Sequence, residues 1–74
     1  MTYEQILEFI IQKRQEQGYS MRKLSSMAGL SPPALCRIED KSSKASYETL
    51  MQLCSSLGYD LEVIPEQYNI KPKK

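Results

Sequence analysis

The sequence predicts a mostly α domain of four to five short helices closed by one short β-strand. Three observations carry that prediction. Apolar residues recur every three or four positions in four successive segments. Each segment is preceded by Ser or Thr and three are followed by Gly, the pattern of capped helices. After Gly58 the spacing changes to alternation, which marks a half-buried strand.

The first helix covers residues 2–17, with Thr2 as N-cap, Tyr3, Ile6, Leu7 and Ile10 on the inner stripe, Phe9 and Ile11 beside it, and Gly18 at the stop. Ser20 caps a short second helix whose contacts are Leu24 and Met27, and Gly29 ends it with a turn that needs positive φ. Ser31 caps a third helix with Leu35 and Ile38 inward. Pro32 suits its first position, while Pro33 restrains the residue before it and shifts the expected start one residue later. Residues 40–45 are polar and read as a loop. Ser46 caps a fourth helix with Tyr47, Leu50, Met51, Leu53, Cys54 and Leu57 at helical spacing. Met27 and Met51 are expected to pack. Residues 59–64 form the strand, and Pro65 stops it.

Seventy-four residues hold one domain with a modest core, here residues 1–65, followed by a flexible basic tail over 66–74. With two unpatterned cysteines, Cys36 and Cys54, and no histidine, neither a structural zinc site nor any other metal or cofactor is expected. Both thiols are expected to be reduced. Residues 1–8 carry two acids and no basic stretch, unlike a secretory signal, and no apolar run exceeds three residues. A soluble, cytoplasmic protein without a membrane partner is expected. Enzymatic activity is not: the chain has no histidine, no nucleophile elbow and no phosphate-cradling Gly loop.

The net charge of +1 is unevenly spread. Residues 1–12 sum to −2, residues 13–44 to +4, residues 45–70 to −4 and residues 71–74 to +3. A basic middle between acidic flanks fits a nucleic-acid face. Within that middle, Ser25 is small enough for two helices to cross closely, Gly29 makes the turn, and Leu30, Leu35 and Ile38 pin the following helix to the core. This arrangement over residues 20–39 resembles the Cro/cI-type helix-turn-helix family, and the resemblance extends over residues 4–64. Arg14, Gly18, Tyr19 and Ser20, together with the run from Tyr47 to Pro65, are closest in pattern to HipB-like and HigA-like regulators.

The resemblance implies a sequence-specific, double-stranded-DNA-binding transcriptional regulator, most simply a repressor. In the HipB-like and HigA-like pattern it would also be the autoregulating antitoxin of a toxin–antitoxin pair, with a cognate toxin as partner. The base-contact positions are Pro32, Pro33 and Arg37. A guanidinium can fork onto guanine O6 and N7, whereas the prolines can only press on thymine methyls or shape the start of the helix. The phosphate-contact positions are Ser20, Met21, Ser31, Lys41, Ser43 and Lys44. Met21 stands where relatives usually carry Gln, so only its backbone N–H can serve. Arg22 and Lys23 are expected to be solvated. Arg14 and Glu39 match a structural ion pair of the family.

A lone strand leaves its backbone groups unpaired. The expectation is therefore a homodimer whose residues 59–64 pair across a two-fold axis, burying Leu61 and Val63 and reading a palindromic operator. The alternative is a C-terminal extension packed on the fourth helix. At the level of function, the alternative is a protein-interaction module on a helix-turn-helix scaffold that reads little or no DNA.

Overall fold

The computed structural model describes residues 1–64 and 67–72. Four helices, α1 (Tyr3–Glu16), α2 (Met21–Ala28), α3 (Pro32–Glu39) and α4 (Tyr47–Ser56), precede two strands, β1 (Tyr59–Ile64) and β2 (Gln67–Pro72). Every helix is capped as its sequence requires. Thr2, Ser20, Ser31 and Ser46 accept the backbone N–H three residues on, and Thr2 with Gln5 completes a capping box. Pro33 does not delay α3, which starts at Pro32. The first N–H groups of a helix have no partner within it, so two prolines there forfeit no hydrogen bond.

The helices converge on Ile6, Ile10, Leu24, Leu35, Leu50, Leu53 and Cys54, all fully buried, with Leu57 and Leu61 alongside. Ser25 is buried among them. Its hydroxyl donates to the carbonyls of Met21 (2.7 Å) and Arg22 (3.0 Å), so a small polar side chain occupies the α2 crossing without an unsatisfied group. Gly29 sits at φ 75°, and the N–H of Leu30 reaches back to the Ser25 carbonyl (2.8 Å). That bond closes α2 and turns the chain into α3. Burial pushes the Cys54 thiol up to about 11, so it remains a neutral packing group.

Three expectations differ from the structure. The segment taken as the start of a flexible tail is β2, antiparallel to β1 with Leu61 opposite Ile70 and Tyr59 opposite Pro72. β1 therefore already has a partner within its own chain. Its Leu61 is 5% exposed, buried in the monomer's own core rather than held in reserve for a second copy. The physical reason is amphipathic: Tyr68 and Ile70 alternate with Gln67, Asn69 and Lys71 and pack on the helical core. The Val63 side chain, and Pro65, Glu66, Lys73 and Lys74, lie outside the described residues. Met27 and Met51, expected to pack, are instead 41% and 39% exposed.

The hydrogen-bonding direction of the sheet follows from one contact. Tyr68 exchanges backbone hydrogen bonds with Met1, donating to its carbonyl (2.9 Å) and accepting from its amino group (2.7 Å). Tyr68 thus turns its backbone polar groups away from β1, and its partner Val63 does the same on the other side. By alternation, Tyr59 and Leu61 also direct their N–H and C=O groups to the outer edge of β1. Pro72 opposite Tyr59 falls at a position that needs no donor toward β1.

Because Ile70 is only half-buried, Ile70→Ala will lower the unfolding free energy by about 1 kcal/mol in urea titration, roughly half the least cost at a fully buried position. A residue in a free tail would leave the midpoint unchanged.

Candidate nucleic-acid interface

α3 presents one face to its own core and the opposite face to solvent. Leu35 and Ile38 point inward, while Pro32, Pro33, Cys36, Arg37 and Asp40 are exposed. These five positions repeat at one and four residues, so they form a single outward stripe. Arg37, the fourth of these outward positions counted from the N-cap, carries a cation there and supports the C-terminal end of the α3 dipole.

The loop after α3 is folded back on the helix. Lys41 adopts φ 68°, a conformation usually left to glycine. It is held there because its N–H bonds the Ile38 carbonyl (3.2 Å) and the N–H of Ser42 bonds that of Arg37 (3.0 Å). The Ser43 N–H and the Ser42 hydroxyl converge on the same Arg37 carbonyl (3.1 and 3.3 Å). Asp40 accepts from the Ser42 N–H (2.9 Å). Hydrogen bonds from Ser42, through its hydroxyl and then its backbone, hold the Asp40 carboxyl below the usual carboxylate range, with Arg37 adding to the effect.

The loop is also tied to α1. The Ala45 N–H donates to the Tyr3 hydroxyl (2.8 Å), and Lys44 Nζ stands 5.2 Å from the centre of the Tyr3 ring. Lys41, Ser42, Ser43 and Lys44 line a shallow cleft of about 490 Å³ with Tyr3, Glu4 and Leu7. Lys41, Ser43 and Lys44 are thus brought together and exposed.

Ser20, Met21, Arg22 and Lys23 are exposed at the start of α2. The Ser20 hydroxyl takes the Lys23 N–H (3.0 Å), leaving the earlier amides of the first turn to face outward. The start of α3 differs. Pro32 and Pro33 have no N–H, and the next donor, Ala34, is committed to the Ser31 hydroxyl (3.3 Å). Ser31 therefore acts as a cap while its hydroxyl hydrogen stays available, and within the first turn of α3 no backbone N–H is left for an anion.

Arg14 and Glu39 lie beneath this face. Arg14 Nε donates to Glu39 Oε2 (2.9 Å) and Nη2 to Oε1 (3.0 Å), while Nη1 reaches the Tyr19 carbonyl (2.9 Å). Their side chains are 12% and 10% exposed. The contacts join the end of α1, the turn into α2 and the end of α3.

The helix-turn-helix family pattern HTH_3, of Cro/cI type, matches residues 10–64. The chain belongs to that family. It is 32% identical over 60 residues, 81% of its own length, to an uncharacterized HTH-type transcriptional regulator of Haemophilus influenzae. That match spans 61% of the relative's length. No solved structure matches the chain at a comparable level of significance. Among the described residues, no helix is long and apolar enough to cross a membrane. No group of three or more potential metal ligands gathers among them either.

Sequence reasoning missed Tyr3, which it assigned wholly to the core. Its ring packs against the core while its hydroxyl holds the basic loop. An aromatic residue with a polar tip at a helix start was the available signal.

Breaking the Arg14–Glu39 contact strands one charge in a nearly closed site. Glu39→Ala will lower the unfolding free energy by about 3 kcal/mol in urea titration. Arg14→Met combined with Glu39→Leu will recover most of that loss, because no unpaired charge remains.

Proposed function

We propose that this helix-turn-helix protein binds double-stranded DNA sequence-specifically as a dimeric transcriptional regulator, with α3 lying in the major groove. The observation that carries the reading is the outward stripe of α3. Arg37 stands exposed on it between two flanking basic elements, the start of α2 and the loop over residues 41–44. A groove-bound helix needs that layout: a reader in the centre and backbone anchors on either side.

In this reading Arg37 forks onto guanine O6 and N7, with Pro32 and Pro33 at the leading tip. The amides of Met21 and its neighbour, with Ser20, meet one phosphate, and Lys41, Ser43 and Lys44 meet another across the groove. Ser31 caps the tip and offers its hydroxyl hydrogen to a phosphate beside it. Arg22 and Lys23 add to the field that draws in the duplex. The simplest regulatory consequence is repression by occupying a promoter. The HipB-like and HigA-like pattern adds an antitoxin role, for which a toxin encoded beside this gene would co-purify with the protein.

Specific binding at about 150 mM salt is the direct test. A duplex selected from a random pool will bind at ~10⁻⁸ M or tighter. Arg37→Ala will weaken that duplex by about 1–3 kcal/mol while leaving random duplex unchanged. Lys41→Ala or Lys44→Ala will weaken both and flatten the salt dependence by about one unit of slope. Protein that shows only weak, sequence-blind binding would instead be an interaction module on this scaffold, with Met21 and the proline pair as positions that lack polar DNA-reading side chains.

In this reading the two copies meet along the outer edge of β1. Tyr59, Leu61 and Val63 turn their backbone groups there, and the Leu61 carbonyl, already accepting from the Tyr47 hydroxyl (3.3 Å), has a second lone pair. Exposed Met27 and Met51 line one shallow cleft with Asp60 of β1, and exposed Tyr47 lies one turn before Met51 on α4. An apolar patch continuous with an outward strand edge suits a second copy related by a two-fold axis, which would space the two α3 helices for a palindrome. Sedimentation will find a dimer that Met51→Glu converts to monomer with its helical signal intact; an unaltered dimer would move the interface elsewhere.

A further inference from the structure

We infer that the tip of α3 specifies its DNA half-site through thymine methyl groups, next to one guanine taken by Arg37. The inference rests on the DNA-binding reading above and names what that site recognises. Four residues of the outward stripe lie before the α3 cap: Pro32, Pro33, Cys36 and Arg37. Of their side chains only Arg37 carries a strong hydrogen-bond donor, and none carries an amide or carboxylate. Adenine is usually read by Asn or Gln and cytosine by Asp or Glu. The stripe has neither before Asp40, and Asp40 is turned to the Ser42 N–H (2.9 Å).

The backbone does not make good the deficit. Positions 32 and 33 have no N–H, and the Ala34 N–H is held by the Ser31 hydroxyl (3.3 Å). Two exposed pyrrolidine rings and a thiol therefore form the surface that meets the base edges ahead of Arg37. In the major groove the thymine C5-methyl is the apolar feature that tells one base pair from another. The proline rings suit it: they are rigid, so contact with a methyl costs almost no side-chain entropy. They also penalise the alternatives, since a base-edge donor or acceptor covered by a ring loses its water without gaining a partner.

The test uses the full-length protein and the selected duplex, with each thymine replaced in turn by deoxyuridine, which lacks only the methyl. At the thymines beside the Arg37 guanine, each replacement will weaken binding about fourfold, the effect of one buried methyl-sized group. Cytosine placed there will bind more tightly once it is 5-methylated. Replacing Pro32 and Pro33 together by Ser will abolish the difference between thymine and deoxyuridine, with the thermal midpoint confirming that the variant folds. Equal affinity for every deoxyuridine duplex, on a site still bound specifically, would overturn this inference and leave the DNA-binding reading standing. Failure to select any specific duplex would overturn both.

Discussion

Arg14 reaches from the last turn of α1 to the carboxylate of Glu39 at the end of α3 and to the Tyr19 carbonyl ahead of α2. The placement of the exposed helix depends on that contact. Hydrophobic burial is non-directional: Leu35 and Ile38 hold α3 against the core but leave it free to rotate and slide by small amounts. A bidentate guanidinium–carboxylate pair in a nearly closed site is directional. It sets the end of α3 relative to α1, and the same guanidinium sets the turn into α2. The two helices that face outward are thus referred to one side chain on a third.

The second constraint is the backbone at the two ends of α3. At its start, Gly29 at φ 75° and the Leu30–Ser25 bond turn the chain between α2 and α3. At its end, Lys41 takes the same left-handed conformation without the freedom of glycine, a cost of about 1–2 kcal/mol. The local bonds to the Ile38 and Arg37 carbonyls, and the anchoring of Ala45 by Tyr3, offset it. A glycine there would relieve the strain but remove a cation from the outward loop. Lysine at this position fits a segment whose charge has a use in the proposed complex.

The core and the exposed face of α3 draw on separate residues. Ile6, Ile10, Leu24, Leu35, Leu50 and Leu53 are fully buried, and among the described residues no buried side-chain polar atom lacks a partner. The outward stripe of α3 takes little part in that core. Its residues can therefore vary without endangering the fold, which is how one scaffold comes to present different readers.

The sequence by itself determined the four helices and, apart from the start of α3, their ends, because those depend on neighbours three or four residues away. The Ser and Thr caps, the turn at Gly29, and the inward Leu35 and Ile38 are all local consequences of residue type. The strand at 59–64 was legible for the same reason. Only the tertiary structure decided what lies beyond local reach. Tyr68 and Ile70 alternate in a short segment rich in Lys and Pro, and whether they pair with β1 depends on the core surface they meet after the chain turns back. Met27 and Met51 share the helical spacing of core residues, yet they sit where no neighbouring element covers them. Periodicity reports which side of a helix is apolar; how much of that side another element covers is settled by the arrangement of all six.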